Sequence, residues 1–568
     1  MYSTTYNFIS SLLCKVTGRD NALLTDGGEH ADLASTIAFA IAKEEKRNPA
    51  EVATELVEKI REELEAEIDC TITTLGPYIN FVFGSSYCAR AVELAQVLGY
   101  GTGVVSKDPQ QVSICLEHTS ANPNGPLHVG HIRNTILGDT LARCFRKAGY
   151  PVEVQFYVND MGRQIAIVSW GIEWQKQDMS HASKKGDHLV ADVYIQANRD
   201  LEAEPAHATE IEKLMQGVEA GDPEVLRRFR VPVMRCLNGF KETLARLDVQ
   251  HDRFIFESDF VKNGDTERLL ARIARLPIAK HEETLSLDLS EYGFEKEYVL
   301  RRSDGTSVYA ARDLAYHRWK AHNFSRVIDV LGADHKLIGK QLQATLEVLG
   351  EKPPAILFFE FVSLPEGSMS TRRGKFISAD ELLDEVLERA KAEVAARRPD
   401  LSDSERDAIA RSVSVSAIRY DIVKTIPEKS TVFNWKEALD FEKQSGPYIQ
   451  YAHARACSML QKAREAGWAG ESAVSSSLVY ETPYEIALVK HIAKFPSIIQ
   501  QVVSDSRPHL LAIYARELAD LFNSFYHAEP VLKSEGITRE SRLALVAATQ
   551  NTLQEALLTL GIDPLSAM

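Results

Sequence analysis

The sequence has no long hydrophobic run, which excludes the ordinary kind of membrane-spanning helix. No stretch of about 18 uncharged apolar residues occurs along the chain. The N-terminal segment MYSTTYNFISSLLCKVTGRD has neither the basic start nor the small-residue cleavage site of a signal peptide. We therefore expect a cytoplasmic protein with no membrane partner.

Cysteine is scarce and scattered. The 7 cysteines among 568 residues form no C-x-x-C pair and no evident disulfide framework. This pattern predicts reduced thiols and no structural zinc. Internal repeats and low-complexity tracts are also missing, and a hydrophobic share of 45% with a charged share of 26% is typical of a globular protein.

An excess of basic residues is lacking as well. The net charge of −15 argues against a protein that coats nucleic acid indiscriminately, because that mode of binding needs a broad basic surface. It leaves open the binding of an RNA through a local basic patch. The length of the chain suggests roughly three or four domains.

Apolar spacing divides the chain into three regions. Residues 1–108 predict a small α+β domain, in which the helices ADLASTIAFAIAKEEK and NPAEVATELVEKIREELE precede the β-prone segment GPYINFVF. Residues 411–568 predict a helical bundle. Its last helix carries one apolar stripe, formed by Leu543, Val546, Leu553, Leu557 and Leu560.

The middle region, 109–410, alternates between strand and helix patterns. A strand at 112–119, a loop, a helix from His128 to Ala148 and a strand at 152–158 form a βαβ unit, with Gly149 and Pro151 ending the helix. Two more apolar strands, at 327–331 and 356–364, favour a parallel sheet wound with helices. The charged, mainly helical segment at about 165–300 is interpreted as an inserted subdomain.

Two histidines flank a glycine where this first helix begins. His128, Gly130 and His131 fall in or beside its first turn, a position that favours anions because the helix dipole and unpaired N–H groups point there. Imidazole donors at such a place suit phosphate oxygens that gain charge during in-line attack. The alternative is that both histidines only cap the helix.

The stretch SANPNGPLHVGHIRNTILGDT (120–140) resembles the HIGH signature of class I aminoacyl-tRNA synthetases, and its surroundings are most similar to the arginyl-tRNA synthetases. Further blocks continue the resemblance along nearly the whole chain. They are VNDMGRQI (158–165), VYAARDLAYH (308–317), VLGADHKL (330–337) and GPYIQYAHARACSML (446–460).

The resemblance implies a multidomain protein with a Rossmann-like α/β catalytic domain. Residues 1–108 are then expected to contact the tRNA D-arm, and residues 411–568 to bind the anticodon. The implied activity is ATP-dependent activation of L-arginine to arginyl-adenylate, followed by transfer to the 3′ end of tRNA(Arg). Mg²⁺ is expected with the triphosphate, arginine activation is expected to wait for tRNA, and the protein is expected to be a monomer.

The nucleotide site is expected to combine the histidine motif with a basic loop. The segment SMSTRRGK (368–375) lies where the family carries its KMSKS loop, but Ser368 and Thr371 replace the two lysines. Its cations are expected to act with the histidines in catalysis, giving the set His128, His131, Arg372, Arg373 and Lys375. The ATP-binding set is Asn124, Gly125, His128, Gly130, His131, Met369 and Ser370. A solvated basic turn is the alternative for the loop.

Arginine selection requires acceptors for a planar guanidinium with five donors. The resemblance assigns arginine binding to Glu117, Asn122, His128, Tyr309, Asp313 and His335. Tyr309 and Asp313 are four residues apart on one helical face, so they can act together. In the alternatives, Glu117 is a solvent-exposed strand end, Asp313 pairs with Arg312 or Arg318, and His335 ends a buried strand.

Two groups of residues are assigned to tRNA. In the N-terminal region, the strand GPYINFVF resembles the family's D-loop contact and supplies Tyr78, Asn80 and Phe81. In the C-terminal region, aromatics interleaved with cations suit unstacked anticodon bases, and the set is Tyr448, Tyr451, His453 and Arg455. Helix packing is the alternative for the two tyrosines, and a place in the core is the alternative for Phe81.

Two other functions remain open from the sequence. A nucleotidyltransferase of the HxGH type would use the same histidines on a small metabolite, but it would not need the N-terminal domain or the long C-terminal bundle. A catalytically inactive paralogue would serve as an RNA-binding or scaffold protein. The retention of both histidines, Asp313 and the segment from Asn159 to Gln164 argues against it.

Overall fold

The computed structural model describes residues 2–28, 30–105, 112–179, 184–363, 377–468 and 478–568. The chain divides into two compact units. One comprises Met1–Val104, Asp440–Asp505 and Leu510–Met568. The other comprises Val105–Leu439 and Ser506–His509, and we call it the catalytic unit because it contains the region that the sequence resemblance expects to be catalytic. Among the described residues, no helix is both long and apolar enough to cross a membrane.

The N-terminal segment combines helices with a four-stranded antiparallel sheet of order β1-β2-β4-β3. Its elements are α1 Tyr2–Thr17, β1 Leu24–Asp26, β2 Leu33–Ser35, α2 Ile37–Glu45, α3 Pro49–Glu67, β3 Cys70–Leu75, β4 Tyr78–Phe83 and α4 Ser85–Ala95. The sequence pattern missed β2, because it continued the helix back through ADLAS. There the backbone pairs with β4 instead, with Leu33 opposite Phe81.

The catalytic unit alternates strands and helices. In chain order its elements are β5 Ile114–Glu117, α5 Val129–Ala148, β6 Val152–Val158, α6 Arg163–Trp174, α7 Gly186–Ala203, α8 Ala208–Glu219, α9 Pro223–Ala245, β7 Arg253–Phe256, α10 Glu257–Lys262, α11 Asp265–Ile273, β8 Ala279–His281, β9 Leu285–Leu287, β10 Tyr298–Arg301, α12 Tyr309–Asn323, β11 Arg326–Gly332, α13 Lys336–Val348, β12 Ala355–Phe359, β13 Val362–Ser363, α14 Ala379–Arg397, α15 Asp403–Val423, β14 Thr431–Val432 and α16 Trp435–Ala438.

A five-stranded parallel sheet of order β12-β11-β5-β6-β7 forms the centre of this unit. The chain runs outward from β5 through β6 to β7, and later returns to place β11 on the other side of β5. The strand order therefore reverses between β5 and β11. In doubly wound sheets, ligands bind beyond the carboxyl ends of the strands at such a switch point.

The predicted βαβ unit is confirmed, with small shifts in its bounds. The strand β6 coincides with the prediction, and α5 ends at Ala148 because Gly149 adopts a left-handed conformation with φ 103°. The strand β5 is shorter than predicted. It ends at Glu117, and Thr119 and Ser120 have φ values of 70° and 32°, which an extended strand does not allow.

Two other predicted segments differ from the structure. The pattern at 356–364 predicted one strand, but the described part of that segment is split into β12 and β13, and β13 pairs with β14 in a separate sheet. The charged segment at about 165–300 contains β7, the edge strand of the main sheet, as well as helices and the antiparallel sheet of order β10-β9-β8. The sequence pattern did not predict these strands, because they are short and are flanked by charged residues.

The C-terminal segment is helical, with α17 Gly446–Glu465, α18 Pro483–Asp505, α19 His509–Ala528 and α20 Gly536–Thr559. The predicted apolar stripe is confirmed, since all five of its side chains are fully buried. Within the first unit, α18 and α20 pack against α4 from the N-terminal segment. Asn551 Nδ2 donates to the carbonyl oxygen of Ala95 at 2.7 Å.

Candidate active site

The histidine motif lies at the N-terminus of α5. His128 is the N-cap residue, and its Nδ1 accepts a hydrogen bond from Gly130 N at 3.1 Å. His131 Nδ1 accepts from His128 N at 3.2 Å, and the two rings stack with centroids 3.7 Å apart. The capping alternative is thus present in the structure. It is compatible with a catalytic role, because it uses only one nitrogen of each ring.

This arrangement fixes the proton position on both rings. Because each Nδ1 accepts a backbone N–H, a neutral ring carries its proton on Nε2 and is a donor there. Burial lowers the pKa of His128. Burial, together with His128, lowers the pKa of His131 to about 3. At neutral pH the pair therefore offers neutral hydrogen-bond donors rather than cations.

The segments that flank the basic loop are fixed to the histidine helix. Ala379 N donates to Leu127 O at 2.6 Å, and Ser378 forms an isolated β-bridge with His128. On the other flank, buried Arg133 donates to the carbonyl oxygen of Glu360 at 2.6 Å. The five loop candidates lie outside the described residues, and they are Met369, Ser370, Arg372, Arg373 and Lys375.

The alternatives for the two acidic candidates do not hold. Glu117 is 7% exposed, and its Oε2 accepts from Lys320 Nζ at 2.7 Å, so it is not a solvent-exposed strand end. Arg312 is buried against Glu219 and Glu257.

Arg318 likewise has another partner, since it pairs with Glu351 at 3.0 Å. Asp313 instead faces His317, whose Nδ1 lies 3.1 Å from Asp313 Oδ1.

The remaining substrate candidates lie nearer the surface. Tyr309 is the first residue of α12 and is 51% exposed, with its pKa raised by burial and by Asp313. His335 follows β11 in a short 3₁₀ turn, and its side chain is 56% exposed rather than buried. In the loop before α5, Asn122 is exposed, whereas Asn124 and Gly125 are partly buried.

The sequence did not single out the groups that surround the acidic candidates. Lys320, His317 and Asp329 are buried, and they connect Glu117 to Asp313. A signal was available, because Asp313, His317 and Lys320 recur at i, i+4 and i+7 on one face of α12. Glu117, His317 and Asp329 also have the spacing of metal ligands, but the Lys320 ammonium bridges the two carboxylates and supplies the cation there.

Buried Glu257 was also missed. Its pKa is raised to about 7 by burial, although Arg312 opposes the shift. One of its carboxylate oxygens has no hydrogen-bond partner, and the same holds for the buried hydroxyls of Tyr157 and Tyr298. Burial is the main cause that raises the pKa of both tyrosines; Asp313 adds to it for Tyr298, and Glu257 followed by Asp313 add to it for Tyr157. All three groups therefore lie close enough to Asp313 to interact with its charge.

Of the three N-terminal tRNA candidates, only Tyr78 presents its side chain at the surface. It is 43% exposed and meets Phe39 edge-on, with ring centroids 5.3 Å apart. Asn80 is 5% exposed, and Phe81 is fully buried in the core of the sheet. The Phe81 side chain is not available for stacking on a base, in agreement with its core alternative.

The C-terminal candidates also divide between core and surface. Tyr448 is buried and its hydroxyl donates to Asp520 Oδ1 at 2.7 Å, while His453 is 2% exposed and hydrogen-bonded to Leu565 O at 2.9 Å. Tyr451 lies at the surface.

The Arg455 guanidinium lies over two rings, 4.8 Å from the centroid of Tyr451 and 4.5 Å from that of Tyr526. The sequence did not foresee Tyr526, which is on another helix.

Family models match three parts of the chain. The model described as "tRNA synthetases class I (R), catalytic domain" matches residues 93–435, "Arginyl tRNA synthetase N terminal domain" matches 14–83, and "DALR anticodon binding domain" matches 449–568. A relative from Methanospirillum hungatei, named arginine–tRNA ligase, is 65% identical over 568 residues, which cover 100% of both chains. The chain belongs to the arginine–tRNA ligase family.

A second relative and two solved structures are similar to this chain over almost its whole length. The arginine–tRNA ligase of Methanoregula boonei is 60% identical over 99% of both chains. The arginyl-tRNA synthetase of Thermus thermophilus has a TM-score of 0.84 at 30% identity over 99% of both chains. The Plasmodium falciparum enzyme, at 19% identity and a TM-score of 0.84, shows the same fold. In this chain a parallel-sheet catalytic domain is combined with an N-terminal domain and a helical DALR domain, which confirms the predicted fold class.

Proposed function

We propose that the chain activates L-arginine with ATP and transfers it to the 3′ end of tRNA(Arg). The observation that carries this proposal is the pairing of two unlike features in one unit. Neutral Nε2 donors lie at the N-terminus of α5, and a chain of buried charges ends at Asp313, whose side chain is 29% exposed. The first feature suits a phosphate, and the second suits a cationic amino acid.

In the first step, a carboxylate oxygen of arginine attacks the α-phosphorus of ATP, and the bond from that phosphorus to the bridging oxygen breaks, releasing pyrophosphate. His128 and His131 donate hydrogen bonds to the α-phosphate oxygens as charge grows on them. In the second step, a ribose hydroxyl of the tRNA attacks the adenylate carbonyl and AMP leaves. No covalent enzyme intermediate is needed.

Arginine is proposed to bind at both of its ends, with one set of residues at the guanidinium and another at the amino and carboxyl groups. Asp313 accepts from the guanidinium, Tyr309 stacks on it or contacts it through its hydroxyl, and His335 lies near the substrate and the ribose. Glu117 and Asn122 serve the amino and carboxyl end, beside His128. The charge-assisted contacts to Asp313 are each worth about 1.5–3 kcal/mol, more than a neutral hydrogen bond.

ATP is proposed to lie along the loop before α5 and the first turn of that helix. Asn124, Gly125 and Gly130 line its path, with Mg²⁺ entering bound to the triphosphate. Because the histidines are neutral, the positive charge that stabilises the leaving pyrophosphate has to come from elsewhere. We assign it to the basic loop and its residues Arg372, Arg373 and Lys375, with Met369 and Ser370 beside the nucleotide.

The tRNA is proposed to use exposed aromatic surfaces of the first unit. Tyr451, Arg455 and Tyr526 form a ring–cation–ring arrangement that suits unstacked anticodon bases. Tyr78, with Phe39 and Leu75, forms an exposed apolar patch that suits the D-arm. The protein is proposed to act as a cytoplasmic monomer.

The test is a charging assay with each of the twenty amino acids and total tRNA. The proposal expects arginine alone to be attached, and expects ATP–pyrophosphate exchange with arginine to depend on added tRNA. Exchange with a small metabolite and no charging would support the nucleotidyltransferase alternative. tRNA binding with neither exchange nor charging would support the inactive RNA-binding alternative.

A further inference from the structure

A continuous chain of buried ion pairs connects the two acidic groups proposed to bind arginine. Lys320 Nζ lies 2.7 Å from Glu117 Oε2 and 2.7 Å from Asp329 Oδ1. The other oxygen of Asp329 lies 2.9 Å from His317 Nε2, and His317 Nδ1 lies 3.1 Å from Asp313 Oδ1. Each link is within hydrogen-bond distance.

Two strands and one helix hold this series of ion pairs in place. Glu117 and Asp329 are direct register partners on the adjacent parallel strands β5 and β11, so their side chains point to the same face of the sheet. Asp313, His317 and Lys320 lie on one face of α12, above those strands. The side chain of Lys320 is fully buried, and that of Asp329 is 2% exposed.

The contacts of His317 require its charged form. Nε2 faces a carboxylate, and Nδ1 faces both the Asp313 carboxylate and, at 2.8 Å, the Asp313 carbonyl oxygen. Both nitrogens must therefore donate, which only the imidazolium does. Burial and Lys320 lower the pKa of His317, but Asp313 and Asp329 outweigh them and raise it to about 10.

The signs of these charges leave an imbalance. Glu117, Asp329 and Asp313 are acidic, while Lys320 and His317 are cationic. This series of ion pairs therefore carries one uncompensated negative charge. Asp313 is the most exposed of the five side chains, at 29%. The uncompensated negative charge is therefore most accessible at Asp313, where one more cation can neutralise it.

We infer that His317 is a positioning residue, which holds the Asp313 carboxylate in the orientation that receives the guanidinium of arginine. Asp329 and Lys320 fix His317 in turn. This inference rests on the proposed role of Asp313. It predicts that arginine affinity depends on a side chain that does not touch the substrate.

The test compares His317→Gln with His322→Gln in the full-length protein. His322 is on the same helix, is half exposed and pairs with Glu351 at 2.8 Å, so it controls for the loss of a histidine–carboxylate contact on α12. We expect His317→Gln to raise the KM for arginine about tenfold or more, with the KM for ATP unchanged. His322→Gln is expected to leave both constants unchanged. An unchanged KM for arginine in His317→Gln overturns the inference.

A double-mutant cycle with Asp313→Asn separates positioning from general loosening of the fold. If His317 acts through Asp313, adding His317→Gln to Asp313→Asn raises the KM for arginine no further. Fold-changes that multiply would overturn the inference. An unaltered KM in Asp313→Asn alone would instead overturn the proposed role of Asp313, so the two failures are distinguishable.

A second variant covers the case in which His317→Gln does not fold. Asp329→Asn keeps the volume of the side chain but removes one of the two charges that hold His317. A higher KM for arginine at an unchanged KM for ATP supports the inference. An unchanged KM for arginine in folded Asp329→Asn protein overturns it.

Discussion

His131 and His317 belong to the same catalytic unit, yet they carry opposite charge states. Burial lowers the pKa of His131 to about 3, with help from His128. His317 is also buried, but Asp313 and Asp329 raise its pKa to about 10. The difference shows that neighbouring carboxylates, rather than burial, decide which histidine is a cation here.

Each charge state suits the work proposed for it. A cation beside the α-phosphate would bind ATP before reaction as well as in the transition state, and uniform binding of that kind does not raise kcat. Neutral donors at His128 and His131 avoid much of this ground-state attraction. At His317, by contrast, the positive charge is already present at neutral pH, before any substrate binds, and it fixes a neighbouring carboxylate.

The largest expected effect concerns the buried ion pairs that fix the charged His317. Lys320→Met leaves Glu117 and Asp329 buried without their common cation, which we expect to cost about 3–5 kcal/mol of unfolding free energy. Denaturant unfolding measures it. The control is Lys391→Met, which removes an ion pair with Glu388 at the surface and is expected to keep a midpoint close to the parental one. A Lys320→Met protein as stable as the parent would show that the buried carboxylates do not need the charge.

The role of the neutral histidine pair, His128 and His131, is tested by His128→Asn. Asparagine is a good N-cap residue, so the helix start is kept while the donor at the Nε2 position is lost. We expect adenylate formation to slow by about 100- to 1,000-fold in single-turnover measurements, with little change in ATP affinity. Equal losses in ATP binding and rate would mean that the histidine binds ground state and transition state alike.

A neutral histidine pair requires cations elsewhere. We expect the Arg372→Ala or Arg373→Ala change to slow arginine activation by about tenfold or more, while transfer from preformed adenylate to tRNA is largely spared. Single-turnover kinetics of the two half-reactions separates these steps. If the triple alanine variant at 372, 373 and 375 forms adenylate at the parental rate, the loop is not the source of the charge.

The expected effect that develops most gradually is the pH dependence of the ion pairs around His317. Because the folded pKa of His317 is raised, its stabilising contribution is complete below the unfolded value of about 6.5 and is lost as the pH rises toward about 10. The difference in Tm between the parent and His317→Gln should therefore shrink from pH 6 to pH 10. A difference that stays constant over this range would mean that His317 is neutral in the folded protein.

The parts of the site that sequence predicted are those that local patterns encode. The strand β6 and the helix α5 follow from apolar periodicity and from Gly149 as a stop signal. The placement of His128 at the start of α5 follows from the preceding proline and glycine loop. These features depend on neighbours within a few residues, so a single sequence carries them.

The charged chain could not be predicted in the same way. Glu117 and Lys320 are separated by 203 positions, and nothing near either residue indicates that the other neutralises it. Asp329 interrupts the apolar strand VIDVL, which was a sign of a buried charge with a specific partner. The strand β2 was missed for a similar reason, because one of its two neighbouring strands is β4, more than forty residues along the chain.

The packing of α4 against α18 and α20 has a consequence for how this protein is made. The partner helices α18 and α20 are encoded after residues 105–439 of the catalytic unit, so more than 300 residues are synthesised before they exist. At about 5–20 residues per second, the wait is on the order of tens of seconds. During that time the face of α4 that packs against α18 and α20 in the folded protein has no native cover on the nascent chain.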